Sequence, residues 1–431
     1  MSIQIDPVPS TVVEPAGAGA QARISWRGPV LYLGVGLLAL VVFGLLTPSG
    51  DTTRFLVATS TDMVHIATFG VPSRATALVL SLLALGLGGW ATWLTANRRT
   101  VPTWVQLTFG GVVLLAFLVW VMAGNSNAMP LTVLLTGALT LAVPLVFGSL
   151  AGLLCERSGI INIAIEGQFL AGAFLAVVVA SLTENPYAGL IAAPVAGALV
   201  GAVLVMFAVR YWIDQIIVGV VLNVLVVGVT NYLFSTVLSE NTDALNSPPR
   251  LPTLAIPVLS EIPVLGPVLF KHSIIVYLMY VVVAVLQVMV FRSRWGLRMR
   301  AVGEHPKAAD TVGIKVNRTR VLNTVLGGAV AGLGGAALVS AGLAFNKELT
   351  SGKGYIALAA MILGRWSPKG ALAAALLFGF ADSLRQVLNN LGSPVPSQFL
   401  SMLPYLATIF AVAGLVGRVR APAAEGIPYK N

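Results

Sequence analysis

Arg300-Ala-Val-Gly-Glu-His-Pro-Lys-Ala-Ala-Asp310 lies inside 292–320, the one long basic stretch of a chain otherwise made of apolar spans. What surrounds it decides the fold class. Of 431 residues, 57% are hydrophobic and 10% charged. The mean hydropathy is +0.89, which leaves too little polar surface to solvate a globule. Crossing a hydrocarbon core of about 30 Å takes about 20 apolar residues in a helix, and only helices or closed barrels satisfy the backbone there. The apolar runs are of helix length and uninterrupted, which excludes barrel strands of about ten alternating residues. The expected fold is therefore all-α, a polytopic helical membrane protein with about eleven or twelve transmembrane segments, some of them discontinuous.

Outward from the basic stretch, spans are expected at about 29–46, 74–95, 102–123, 131–154, 158–182, 189–209, 216–238, 273–291, 321–344 and 399–416. The interval 355–385 is broken at Arg365-Trp-Ser-Pro-Lys369 and reads as two passages. Residues 1–27, with Pro7, Pro9 and Pro15, show no apolar periodicity and are expected to form a disordered cytoplasmic tail. The segment after Arg23 and Arg27 lacks a small-residue cleavage site and reads as a retained anchor.

The net charge of +10 falls in short loops beside apolar spans, the positive-inside pattern, and points to topology rather than to nucleic acid. Arg98, Arg99, Arg157, Arg210, 292–320, Arg365, Lys369, Arg418 and Arg420 fall on one side, the cytoplasmic one, if the tail is inside. The opposite side receives the loops 47–73 and 239–272. Pro248, Pro249, Pro252, Pro257, Pro263 and Pro267 make the latter an ordered, extended surface loop rather than a helix.

Cys155 is the only cysteine, and His65, His272 and His305 have no ligand spacing. Neither a metal site nor a catalytic constellation is expected. The chain also lacks the Gly-x-x-x-x-Gly-Lys-Ser/Thr phosphate cradle: Gly352-Lys-Gly354 has neither its spacing nor its hydroxyl. ATP and Mg²⁺, if used, belong on another polypeptide.

Within the basic stretch, Pro306 suits the first position of a helix and Gly313 the position just past its end. The helix between them, 307–312, has under two turns and is too short to hold in water alone. It persists only if packed on its own membrane domain or on a partner. Arginines that merely set topology are the plainer reading of the loop, but Glu304 and Asp310 serve no topological purpose and can pair with basic groups of a partner.

Trp295-Gly-Leu-Arg-Met-Arg-Ala-Val-Gly-Glu-His-Pro-Lys-Ala-Ala-Asp-Thr-Val-Gly-Ile314 resembles the coupling loop of permease subunits of bacterial ABC importers for nucleosides, simple sugars and branched-chain amino acids. Glu156-Arg-Ser-Gly-Ile-Ile-Asn-Ile-Ala-Ile-Glu-Gly167 and Gly354-Tyr-Ile-Ala-Leu-Ala-Ala-Met-Ile-Leu-Gly-Arg-Trp-Ser-Pro-Lys-Gly370 resemble the nucleoside and simple-sugar branch.

The resemblance implies a permease core at 131–417 behind three additional transmembrane helices within 28–124, with 418–431 as a cytoplasmic tail. It also implies docking of the loop helix on a separate ATPase subunit through Gly303, Glu304, Pro306, Ala308, Ala309, Asp310 and Gly313. A second permease subunit, related or identical, and an extracytoplasmic substrate-binding lipoprotein complete the implied assembly in the bacterial plasma membrane. His305 departs from the family's frequent Asn.

Polar residues inside spans pose a separate question. A mid-membrane carboxylate costs roughly 2.5–3.5 kcal/mol on insertion scales and faces a cavity or a partner. Asn162 and Glu166, four apart, are expected on one helix face. With Gln168 and Asn223 they either line a translocation path or hold helices together, and both readings stay open. Gln215, Asn231 and Gln287 raise the same question.

Gly197 with Gly201 and Gly328 with Gly332 read as close-packing pairs. Asp382 and Arg385 can pair three residues apart. The function expected is the membrane-spanning part of an ATP-driven importer working by alternating access on a nucleoside or simple sugar. The rival is an ion-gradient-driven transporter with Glu166 as its proton-linked carboxylate.

Overall fold

The computed structural model describes residues 25–57, 67–393, 395–402, 405 and 420–430. The tail expected at 1–27 lies outside them up to residue 24, as does most of the span expected at 399–416. In chain order the principal helices are α1 (Arg27–Leu45), α2 (Ser73–Ala96), α3 (Thr103–Val121), α4 (Leu131–Glu156), α5 (Ile165–Thr183), α6 (Pro186–Arg210), α7 (Gln215–Leu238), α8 (Ile274–Arg292), α9 (Arg294–Glu304), α10 (Pro306–Thr311), α11 (Val316–Val339), α12 (Lys353–Leu363) and α13 (Pro368–Asn390). Among the described residues ten of these, all but α9, α10 and α12, are long and apolar enough to cross a membrane. The chain is a multi-pass helical membrane protein.

Two compact units form. In the first, α1, α2 and α3 pack around Tyr32, Ala84, Ala91 and Phe109, and the Tyr32 and Phe109 rings meet edge-on at 5.0 Å. The second holds Gly50–Pro72 and everything from Val121 onward. Its centre is α4, 89% buried along its apolar window where α7 is 28% buried. α4 is therefore wrapped by neighbours, while α7 leaves most of its surface uncovered by the rest of the chain.

Within this unit β1 (Thr52–Leu56) pairs antiparallel with β2 (Phe69–Pro72) and parallel with β3 (Met129–Pro130). The proline-rich loop is ordered, as expected, and closes with β4 (Thr253–Ala255) antiparallel to β5 (Lys271–Ser273).

Small residues bring α6 and α11 together. A Cβ on Gly197 would lie 2.1 Å from the Gly328 carbonyl oxygen and 2.8 Å from the Gly332 Cα, so these backbones touch directly. We expect Gly197→Ala to destabilise the folded chain by about 1–3 kcal/mol, the usual cost of overpacking. Gly228→Ala, where nothing lies within 4 Å, should be neutral or mildly stabilising. Thermal melts of the two purified variants decide this, and equal melting would count against the close approach.

Two boundaries differ from the sequence reading, each for a physical reason. α5 begins at Ile165 rather than near 158, because 158–160 turn out of the end of α4 and the backbone at Ile161 and Ile163 finds side-chain partners instead of helical ones. The Ile161 amide donates to Gln215 Oε1 at 2.7 Å, and Asn223 Nδ2 donates to the Ile163 carbonyl at 2.9 Å. Non-helical backbone is tolerated at membrane depth when protein satisfies it. Asn162 thus precedes the helix, and it does not share a helix face with Glu166.

α11 begins at Val316 rather than 321, and Arg320, read as a loop residue, is 1% exposed inside it. The broken interval resolves into α12, eleven residues long and so about 16 Å, followed by the full-length α13. The half-length helix and its partner meet at Gly364, packed on Gly370 and Ala371.

Candidate functional site

The basic residues build one end of the bundle. α9 runs into α10 across His305, with Pro306 at the first position of α10 and Gly313 at φ +81° beyond its end. The helix falls one residue earlier than the sequence implies, at Pro306–Thr311. It is held as so short a helix must be, by packing. Ala309 is buried with Val302, Val316 and Tyr429, while Lys307, Ala308, Asp310 and Thr311 face outward.

Gly303 sits directly on the loop after α4, where a Cβ would be 2.2 Å from the Arg157 carbonyl oxygen. Glu304 lies near Arg157, whose guanidinium is pushed below its ordinary value by burial and partly restored by that carboxylate. Arg157 Nε donates to the Trp366 carbonyl at 3.0 Å, and Trp366 Nε1 donates to Glu156 Oε2 at 2.6 Å. The outward residues of α10 thus ride on a base joined to α4 and to the turn between α12 and α13.

The second cluster lies inside the bundle, where the N-termini of α5 and α12 meet. Glu166, in the first turn of α5, accepts from Thr350 Oγ1 at 2.5 Å, from the Gly352 amide at 2.8 Å and from the Gly354 amide at 2.6 Å. These amides are the otherwise unpaired donors at the start of α12, and both helix N-termini direct partial positive charge at the carboxylate.

Asn162 and Gln168 bond each other reciprocally, Nδ2 to Oε1 at 3.0 Å and Nε2 to Oδ1 at 3.3 Å. Asn223 Oδ1 accepts from the Gly167 amide at 2.8 Å, and its Nδ2 donates to the Tyr355 hydroxyl at 3.1 Å as well as to Ile163. All four are buried. The structure brings the four together in one junction and satisfies them from within the chain.

Of the remaining polar residues, Gln287 Oε1 accepts from the Lys369 amide at 3.3 Å, and Asp382 pairs with Arg385 at 2.7 Å.

Three residues of this end were given no structural role in the sequence reading. Glu156 is 2% exposed, its only local signal being a carboxylate at the end of an apolar span. Arg320 Nη1 donates to the Ile427 carbonyl at 2.8 Å, a partner 107 positions away. Glu425, whose carboxyl burial pushes up, lies against Glu156. No local pattern connects such distant residues.

The sequence profile of the family described as branched-chain amino acid transport system, permease component, matches residues 134–413. The chain is 37% identical over 310 residues to the guanosine ABC transporter permease protein NupQ of Bacillus subtilis, covering 69% of this chain and 97% of that protein. It is 35% identical over 309 residues to the nucleoside ABC transporter permease protein NupC of Lactococcus lactis, with the same coverage of each. Identity to the putative glucose ABC transporter permease protein TsgC13 of Haloferax volcanii is 31% over 311 residues, 66% of this chain and 92% of that one. No solved structure gives a significant match.

Proposed function

From the chain's membership of the permease-component family of branched-chain amino acid transport systems, we propose the following assignment. The chain is the membrane-spanning subunit of an ABC importer, and the solute it passes is a nucleoside, with a simple sugar second. NupQ and NupC, named for guanosine and nucleosides, are 37% and 35% identical to it, against 31% for TsgC13, named for glucose.

α10 is the element that meets a separate ATPase subunit. That partner binds ATP and Mg²⁺, for which this chain has no phosphate cradle. The observation that carries the assignment is α10 itself, a six-residue helix whose buried side packs at Ala309, beside the close approach of Gly303 at the end of α9, and whose outer side carries Lys307, Ala308, Asp310 and Thr311.

The basic end faces the cytoplasm, consistent with the density of Lys and Arg there, and both termini are cytoplasmic. The end with the β4–β5 loop faces outward and receives a substrate-binding lipoprotein. A second permease subunit, a related chain or another copy, completes the path because the ATPase motor is a dimer.

The Glu166 junction is a fastening between two helix ends that the transport cycle keeps or rearranges. Its carboxylate accepts from three donors of the chain itself, which supports a structural role for it. The substrate class is tested by uptake in cells lacking the chain and then re-supplied with it. Excess unlabelled guanosine, adenosine and uridine should suppress uptake of labelled guanosine strongly, whereas ribose, glucose and leucine should not. Competition by leucine alone would overturn the nucleoside assignment.

A further inference from the structure

The segment 421–430 lies across the basic end and touches every part of it that coupling requires. The Ala423 amide donates to Glu304 Oε2 at 3.3 Å, and the Ala424 amide donates to the Gly303 carbonyl at 2.8 Å. These two bonds hold the junction between α9 and α10. The Gly426 amide donates to the Gly159 carbonyl at 3.3 Å, and the Ile427 carbonyl accepts from Arg320 at the start of α11.

Tyr429 is buried against Val302, Ala309 of α10 and Val316. Lys430 Nζ stands 4.7 Å over the Trp212 ring beyond α6. Five separate regions of the chain are thereby fastened by ten residues. A loose tail has no reason to fill these carbonyls, since a buried backbone group left without its partner costs about 1–3 kcal/mol.

Where the strap lands matters as much as how firmly. Gly159 opens the non-helical segment 158–164, and that segment ends at α5 and Glu166. Its backbone hangs between the strap at Gly159, Gln215 at Ile161 and Asn223 at Ile163. A movement of α10 therefore has a bonded route through Gly303, Ala424 and Gly426 to the irregular backbone 158–164, which leads into α5 and the junction inside the bundle.

We propose that 421–430 is a transmission strap that positions α10 and passes its nucleotide-driven displacement to the segment 158–164. The inference rests on the ABC-importer assignment and adds to it a route of coupling within the permease. Coupling carried by contiguous bonded elements is typically 1–3 kcal/mol, a factor of about 5–150 in an equilibrium.

The test is hydrogen exchange on the assembled complex, with ATP and vanadate added or withheld, for the full chain and for a chain ending at Arg420. In the full chain, nucleotide is expected to change exchange both at α10 and at 158–164. In the shortened chain the change at α10 should remain, while that at 158–164 falls at least about fivefold and guanosine uptake falls with it. A change at 158–164 of full size without the strap would overturn the proposal.

If the shortened chain fails to assemble, Tyr429→Ala serves instead, with the same two readouts. A drop in the amount of complex with undiminished transmission per complex would reduce the strap to a folding element and equally overturn the proposal. Absence of any nucleotide effect at α10 in the full chain would instead defeat the ABC-importer assignment, so the two failures are distinct.

Discussion

Glu166→Ala is expected to lower the thermal stability of the purified chain by about 3 kcal/mol or more. The carboxylate accepts from the Thr350 hydroxyl and from the Gly352 and Gly354 amides, and the chain backbone at Gly354 lies against it. A Cβ there would stand 2.5 Å from the Glu166 amide nitrogen, so no side chain can move in to replace what is lost. Each bond to a charged acceptor contributes about 1.5–3 kcal/mol, and donors left buried add their own penalty.

Glu166→Gln is the sharper variant. It keeps one oxygen for Thr350 and Gly352 but turns an amide group toward the Gly354 N–H, two donors face to face. Its melting point should fall by several degrees while substrate affinity stays within about twofold of the parent, about 0.4 kcal/mol. A Gln variant with unchanged melting and a large loss of substrate affinity would place Glu166 on the substrate instead.

Glu304→Lys is expected to leave the permease inserted and assembled but to cut ATP-driven uptake at least ~10-fold while basal ATP hydrolysis persists. Glu304 is exposed beside α10, accepts from the Ala423 amide and lies near the half-buried Arg157. A lysine would set like charges together in the neighbourhood of Arg157 and Arg300 and would lose the acceptor that anchors 421–430. Ala308→Trp, on the outward side of α10, tests the partner contact without touching those internal bonds. Uptake and stimulated hydrolysis at the parent level in both variants would remove α10 from the coupling route.

Legibility in the sequence followed the range of the interactions. The apolar spans and the short capped helix at 306–311 are set by neighbours within a few turns, so Pro306, Gly313 and the run lengths predict them. The close pairing of α6 and α11 showed as glycines four apart.

Arg320 misled the reading of α11 because a cation at the edge of an apolar run normally marks a loop. Here the helix absorbs it by taking a carbonyl from residue 427. The start of α5 slipped for the same reason, since Gln215 and Asn223, some sixty residues on, provide the bonds that release 158–164 from helical pairing. The four polar residues chosen from the spans do meet in space, yet their partners, Thr350 and Tyr355 among them, were invisible to any local pattern. The strap was missed because its bonds join backbone groups and side chains more than a hundred residues apart, such as Ala424 to Gly303 and Arg320 to Ile427.

The account's central claim, a bundle driven by an ATPase subunit that seats on α10, is tested most directly by reconstitution. Vesicles are prepared with this chain alone, and with the chain plus its ATPase, second permease subunit and binding protein, and uptake of guanosine is followed with and without internal ATP. The account predicts uptake only in the complete vesicles, only with ATP, and unaffected by an uncoupler. Uptake by the chain alone that ignores ATP and collapses with the uncoupler would contradict it.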